Sequence, residues 1–265
     1  MAVRQMKFSF VAALLLFSLL SGCLEAIDQQ TNDPIDLIVY YDETNGSVEH
    51  IIQNGQLMSE RGVELAFDFA RVSSSAGAID TIYFDPGDDV AHANRIEQKI
   101  SEGAGIEYEY HTHGMFQATI GAIDVKGNEK NFSILIRIDF DLDWSQSNTD
   151  NPNSLDIDTN PDCECDTEAS LTIDSTLSRN EFVPGTQLTV TWHLVNPDGN
   201  EVASHTEQIG PGQDASWKHT QSDIVHGMWT LDVTIDVGEG QLNVEHLLSI
   251  NYDEVESLPN PFPAI

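Results

Sequence analysis

Apolar and polar residues alternate along most of this chain, and a period of two predicts half-buried β-strands. The pattern is clearest within 105–128, where alternate positions are apolar from Phe116 to Ala122 before a turn begins at Lys126. Similar runs predict strands at 37–41, 48–52, 63–69, 79–84, 131–140, 188–194, 227–235 and 242–250. Because no segment has the length of a packed helix bundle, the sequence predicts an all-β protein.

Several connecting stretches interrupt these strands. The Asn45-Gly46 dipeptide lies between the first two apolar runs and favours the two-residue turn of a β-hairpin. Residues 89–105 have weak helical spacing, which is consistent with either a lid-like insertion or a decorated loop. Residues 141–170 are poor in apolar side chains and rich in Asp, Asn, Ser and Pro, so they are predicted to form an acidic linker. The Pro-rich segment 253–265 is predicted to be a flexible tail.

Two motifs in the first half of the chain resemble a known family. Residues 84–89, FDPGDD, stand where polycystic-kidney-disease (PKD) type domains have WDFGDG. Further along the chain, five residues have the same spacing as the closing half of such a domain; they are Tyr110, Gly114, Phe116, Asp124 and Gly127. The stretch 62–138 therefore resembles a PKD-type domain, which implies an immunoglobulin-like sandwich and contact with protein or polysaccharide.

A second domain is predicted from a short repeat. His226-Gly227-Met228-Trp229 repeats the pattern of 113–116, HGMF, and each copy opens an alternating strand. We therefore expect two immunoglobulin-like β-sandwich domains in tandem, for which 265 residues are enough. The predicted divisions are a signal peptide at 1–23, a spacer at 24–34, a PKD-like sandwich at 35–140, the linker at 141–170, a second sandwich at 171–252 and the tail at 253–265.

The N-terminus has the composition of a secretory signal. A short basic start is followed by an apolar run from Phe8 to Leu20, which is too short to span a membrane comfortably. The sequence Leu20-Ser21-Gly22-Cys23 resembles a prokaryotic lipobox, so Cys23 is predicted to carry a lipid; the alternative is an ordinary signal peptide with an incidental cysteine. The mature chain is thus expected to be extracytoplasmic and anchored to the cell membrane at its N-terminus.

Charge narrows the range of partners. Forty-four Asp and Glu against eleven Lys and Arg give a net charge of −33, which would repel phosphate backbones and excludes nucleic acid as a partner. The acids are spread over the whole sequence, which is typical of a protein from a salt-adapted, halophilic or marine prokaryote.

The acidic linker contains the strongest candidate for a cofactor site. Asp156, Asp158, Asn160 and Asp162 place oxygen ligands at alternate positions, as calcium loops do. Pro161 and Thr167 stand where an EF-type loop has Gly and a bidentate Glu. Two interpretations stay open, a Ca²⁺ site and a solvated linker, and the substitutions favour the second.

The linker also holds the only cysteines besides Cys23. Outside the cell Cys163 and Cys165 are expected to oxidise to a disulfide with each other; pairing between molecules is the alternative. A soft-metal site would need further ligands, and no histidine is near in sequence.

Other chemical signals are sparse. His111 and His113 could begin a metal site but are also tolerated as polar turn residues. Asn45 and Asn131 satisfy the N-glycosylation pattern. Trp192 and Trp229 are predicted to be core residues, and Trp217 is expected to be buried rather than a sugar-stacking platform.

No catalytic motif was found, so the protein is predicted not to be an enzyme. The predicted function is binding or adhesion to protein or polysaccharide at the cell surface. The alternative is an accessory subunit of a surface transporter or hydrolase, or an enzyme whose site is not visible in the sequence.

Overall fold

The computed structural model describes residues 33–262 except 89–90, 164, 166, 180–186 and 223. The elements below all belong to one compact unit, Ile35–Ile265. The predicted signal peptide, Cys23 and most of the spacer lie outside the described residues. All regular elements in the described ranges are β-strands, which confirms the predicted all-β class. Within those ranges, no helix is long and apolar enough to cross a membrane.

Seventeen strands are present in the described part of the chain. The first nine are β1 (Ile35–Asp36), β2 (Asn45–Gln53), β3 (Gln56–Arg61), β4 (Val63–Asp68), β5 (Ser73–Ser74), β6 (Ile79–Asp85), β7 (Ile96–Lys99), β8 (Gly105–Tyr110) and β9 (Gly114–Asp124). The others are β10 (Glu129–Thr149), β11 (Leu155–Asp158), β12 (Ala169–Ser178), β13 (Leu188–Val195), β14 (Glu201–Ile209), β15 (Asp214–Gln221), β16 (Met228–Val237) and β17 (Leu242–Tyr252).

One large sheet runs through the molecule. Its strand order is β15-β12-β17-β10-β9-β6-β7, and β2 adds to β10 in parallel and carries β3. A second sheet has the order β11-β16-β13-β14, and two small ribbons pair β1 with β5 and β4 with β8. The long strand β10 pairs with β9 through its first half and with β17 through its second half. It therefore joins the two halves of the fold.

Two hydrophobic cores lie on this framework. The first is built from inward-facing residues of β4, β6, β8, β9 and the start of β10, including Phe67, Phe84 and Phe116. The second lies between the large sheet and the sheet of β11, β16, β13 and β14, and Trp192 is fully buried in it. Alternation explains both cores, because every second side chain of a strand faces the same side.

The predicted linker at 141–170 is wrong for much of its length. Residues 141–149 continue β10, and Leu142 and Trp144 are buried in the second core. Leu155 and Ile157 in β11 are buried there as well. The abundant aspartates occupy the alternate, outward positions, so the average composition of the segment concealed a strand pattern. Residues 35–265 consequently form one compact unit in which β10 contributes to both cores, and the division into two tandem domains stays a prediction.

The predicted hairpin turn was placed at the wrong Asn-Gly dipeptide. Asn45-Gly46 begins β2, whereas Asn54-Gly55 connects β2 to β3 with φ angles of 50° and 77°. A positive φ at both positions is the requirement of a type I′ turn, and Asn-Gly meets it best. Weak helical spacing in 89–105 was also misleading, because Ile96–Lys99 is the strand β7.

The predicted flexible tail is wrong for residues 253–262. This segment, called the C-terminal strap below, leaves β17 and is bonded back onto the first half of the fold. Ser257 N donates to Leu135 O at 2.9 Å, and Asn260 forms an isolated antiparallel bridge with Tyr41. Because prolines and polar residues offer no strand alternation, the sequence gives no local indication of this contact.

Candidate functional site

Two of the predicted sites lie in one groove, which we call the histidine–aspartate groove. Its walls come from β2, the turn at 111–113, β10 and the segment 156–162. The cavity has a volume of about 440 Å³. The Asp-rich stretch and the histidine pair, which are more than 40 positions apart in sequence, therefore face the same space.

His113 lies at the inner side of this groove. Its Nδ1 atom is 2.7 Å from the hydroxyl of Tyr252, and its ring packs against Phe140 with centroids 5.4 Å apart. Burial lowers the pKa of His113, and the negative charge of Asp158 opposes part of that effect. Burial likewise raises the pKa of Tyr252 far above its ordinary value. Both groups are thus neutral at pH 7, which is typical of a structural pair.

The four residues predicted to bind calcium all line the groove. Asp158 Oδ1 accepts hydrogen bonds from the backbone N (3.0 Å) and the side-chain Nδ2 (2.6 Å) of Asn160. Asp156 Oδ1 accepts from the hydroxyl of Thr230 at 3.3 Å. Asp162 is held through its backbone N, which donates to His113 O at 3.0 Å. Among the described residues no group of three or more His, Cys, Asp or Glu side chains is arranged to hold a metal ion, and calcium stays a prediction.

Cys163 and Cys165 form a disulfide with each other. They line a neighbouring cavity of about 740 Å³ together with Asp88 and His92. The disulfide immediately follows Asp162, whose backbone is bonded to the turn at His113. Its position therefore fixes the end of the segment that forms one wall of the histidine–aspartate groove.

The predicted PKD-like loop is an ordered turn. Gly87 has a φ of 71°, and a Cβ atom there would lie 2.5 Å from the carbonyl oxygen of Gln117. Asp85 contacts His92 at 2.8 Å, and the Tyr110 hydroxyl donates to Pro86 O at 2.9 Å. These contacts explain the glycine by a close backbone approach. Asp89 lies outside the described residues.

Both glycosylation candidates are exposed but already hydrogen-bonded. Asn45 lies at the start of β2 and not in a turn, and its Nδ2 donates to Glu256 Oε1. Asn131 Nδ2 donates to the Tyr83 hydroxyl at 2.9 Å from within β10. Modification of either residue stays a prediction.

The three tryptophans whose burial was predicted from the sequence are all buried. Trp192, Trp217 and Trp229 are 0%, 8% and 2% exposed, as the sequence predicted. None of them can serve as a platform for an external ligand, so aromatic recognition must be sought elsewhere.

Another cavity, missed by the sequence analysis, has a stacked aromatic pair of which one ring is exposed and the other half-buried. Tyr40 and Phe262 stack with ring centroids 4.4 Å apart and an interplanar angle of 26°. Phe262 is 52% exposed. The cavity has a volume of about 330 Å³, and we call it the aromatic cleft.

The floor of the aromatic cleft is the outer face of the β4–β8 ribbon. Val63, Leu65 and Phe67 point into the first core, so the alternate residues of β4 point outward. Ala66 pairs with Glu107 and Asp68 pairs with Gly105 in the register of the ribbon. Four small residues lie on this floor between the acidic ones; they are Ala66, Ala70, Ala104 and Gly105.

Carboxylates stand around this floor. Asp42 and Glu107 are exposed, and Asp68 is half-buried. Asp68 Oδ1 accepts a hydrogen bond from the backbone N of Ala70 at 2.7 Å, which fixes its orientation. The cleft thus combines an aromatic wall, a flat floor of small residues and oxygen acceptors at its rim. Tyr40-Tyr41 was the only local signal, since Phe262 is 222 positions away in sequence.

No family model and no curated protein matches this sequence. Solved structures do match weakly, and one is a carbohydrate-binding module of the β-sandwich superfamily, with 12% identity and a TM-score of 0.30, covering 85% of this chain and 95% of the module. A second is an isomalto-dextranase of Arthrobacter globiformis T6 complexed with panose, with 10% identity and a TM-score of 0.25, covering 82% of this chain and 35% of the dextranase.

A third is a protein of the mixed-linkage glucan utilization locus of Bacteroides ovatus in complex with a mixed-linkage heptasaccharide. It has 9% identity and a TM-score of 0.19, with coverage of 75% of this chain and 51% of that protein. Likeness at this level carries no argument about the ligand of the present chain.

Proposed function

We propose that this protein binds polysaccharide outside the cell, held at the membrane by a lipid on Cys23, and that the aromatic cleft is its binding site. The observation that carries the proposal is the stacked pair of Tyr40 and Phe262, which stands beside a floor of small residues and a carboxylate rim. An aromatic ring exposed at a concave site, as Phe262 is, is typical of ligand recognition rather than of folding.

The chemistry of a sugar ring fits this arrangement. A pyranose has an apolar face of C–H groups and an equatorial rim of hydroxyls. An aromatic ring can cover the apolar face, while the carboxylates of Asp42 and Glu107 accept hydrogen bonds from the hydroxyls. Since Ala66, Ala70, Ala104 and Gly105 have no side chain larger than a methyl group, a flat ring can approach the backbone beside them.

Charge selects among saccharides. The whole chain has a net charge of −33, and the cleft has acids at its rim. Sulfated or uronate-rich polymers would be repelled at low and moderate salt. The proposed ligand is therefore a neutral polysaccharide.

The PKD-like assignment of 62–138 is part of the same proposal. It is supported by the turn at Gly87 and by the loop from Asp124 to Asn128. Asp124 Oδ1 accepts from the backbone N atoms of Lys126 (2.8 Å) and Asn128 (3.0 Å), and Gly127 has a φ of 81°. Hydrogen bonds from Asn128 lower the pKa of Asp124 to about 2. Aspartate and glycine at this spacing therefore have a defined structural role, in keeping with the family pattern.

Binding can be tested with residues 24–265 produced without the lipid. Isothermal titration with cellohexaose, laminarihexaose and maltohexaose would measure affinity, and Tyr40→Ala and Phe262→Ala are each expected to weaken it roughly tenfold. Met228→Ala is the matched control, since Met228 is an equally exposed apolar residue in the second half of the fold. Absence of binding to all three sugars, or equal binding by the aromatic variants, would contradict the proposal.

A further inference from the structure

The C-terminal strap supplies one wall of the aromatic cleft. After Tyr252 ends β17, the strap crosses to the first half of the fold and brings Phe262 against Tyr40. The two rings of the cleft thus come from opposite ends of the described chain. Whatever fixes the strap also fixes the spacing of those rings.

Hydrogen bonds, rather than apolar burial, hold the strap in place. Leu135 N donates to Ser257 Oγ at 2.8 Å, and the Thr44 hydroxyl donates to Ser257 O at 2.6 Å. The apolar residues Val255 and Leu258 remain 77% and 84% exposed. A segment with few buried apolar contacts opens more readily than the core does.

Asn260 makes the contacts nearest to the cleft. Its backbone N donates to Tyr41 O, and its O accepts from Tyr41 N, both at 3.0 Å. Its side-chain Nδ2 donates to Val39 O at 2.6 Å. Asn260 is therefore hydrogen-bonded to Val39 and Tyr41, the two residues that flank Tyr40 in sequence.

The residues that flank Asn260 restrict the backbone between it and Phe262. Pro259 and Pro261 enclose Asn260, and a proline restricts its own φ and the backbone of the residue before it. Only Pro261 separates Asn260 from Phe262. Once Asn260 is bonded to Tyr41, the backbone of Phe262 is held close to Tyr40, where its ring can stack.

We infer that Asn260 is a positioning residue for the aromatic cleft, and that saccharide binding and docking of the strap are thermodynamically coupled. This inference rests on the proposed function. A saccharide that contacts both Tyr40 and Phe262 binds the docked strap better than the open strap. By linkage it must then shift the strap toward the docked state, and loosening the strap must weaken binding by the same factor.

Two measurements on residues 24–265 test the coupling with the same three hexasaccharides. Amide hydrogen exchange reports on strap docking through the N–H groups of Ser257 and Asn260, which are bonded within the protein. At saturating sugar, exchange at both amides is expected to slow at least threefold, with little change at amides in β12, which is distant in sequence and lies in the second core. A purely structural strap would show no response to sugar.

Variants separate positioning from simple contact. Asn260→Asp keeps the backbone bridge and loses the Nδ2 donor, and Asn260→Ala loses the side chain; both are expected to weaken binding fivefold or more. Leu258→Ala is the matched control within the strap, because Leu258 is not a lining residue of the cleft. Phe262→Tyr should retain binding, since it preserves the ring. A melting temperature for each variant confirms that it folds.

The outcomes are distinguishable. If the unaltered protein binds none of the sugars, the proposed function fails and the inference falls with it. If it binds, but Asn260→Ala binds within twofold and strap exchange does not respond to sugar, the inference alone is overturned. Weakened binding by folded Asn260 variants together with ligand-dependent protection of the strap would support it.

Discussion

Acid destabilisation of the second core can be assigned to one buried histidine. His246 in β17 is fully buried beside its cross-strand neighbour Ser175 in β12. Its Nδ1 atom is 2.8 Å from Ser175 Oγ, and the same oxygen accepts from Trp192 Nε1 at 2.7 Å. Since the serine oxygen accepts from tryptophan, its own hydrogen can be donated to Nδ1 of a neutral imidazole.

Burial lowers the pKa of His246 to about 4, and a backbone contact with Glu245 offsets a small part of the effect. In the unfolded chain the pKa is about 6.5. Between these values the unfolded state binds a proton that the folded state does not, so stability is present above pH 6.5 and is lost as pH falls toward 4. Linkage gives a loss of roughly 2.5 kcal/mol between pH 7.5 and pH 4.5 from this residue.

Urea unfolding of the protein and of His246→Leu at both pH values isolates this contribution. Carboxylates and the buried His113 titrate in both proteins, so their effects cancel in the difference. The pH-dependent loss of unfolding free energy should be about 2.5 kcal/mol smaller in His246→Leu. A difference below about 0.5 kcal/mol between the two pH dependences would refute the reasoning.

Three further predictions concern other parts of the chain. Cys23→Ser should move the protein from the membrane fraction to the soluble fraction, and unchanged fractionation would exclude the lipid anchor. Salt in general should raise the melting temperature by screening the negative charges. If the histidine–aspartate groove binds calcium, millimolar CaCl₂ should raise the melting temperature further than NaCl of equal ionic strength. The double variant Asp156→Asn, Asp158→Asn should remove that additional increase. In thermal denaturation, Gly87→Ala should lower the free energy of unfolding by about 1–3 kcal/mol, because Gly87 has a positive φ and a close contact with Gln117. Gly127→Ala should lower it less, because there is open space around Gly127.

The sequence determined most of the strands, because alternation depends only on which side chains of one strand face the core. The burial patterns of β4 and β13 follow directly from the alternating residues Val63, Leu65 and Phe67 and from Leu188, Val190 and Trp192. The buried tryptophans were predictable for the same reason. Gly87 lies in the motif quoted from the sequence, and the backbone of Gln117 requires its small size.

Strand pairing and the candidate site were decided only by the tertiary structure. Backbone hydrogen bonds between strands are nearly independent of side-chain identity, so no local pattern states that β10 pairs with both β9 and β17 and thereby joins two cores. The same limit applies to the strap, where Asn260 bonds to Tyr41 across 219 positions. The aromatic cleft exists because that contact places Phe262 on Tyr40, and its rings have no relation to each other until the chain has folded.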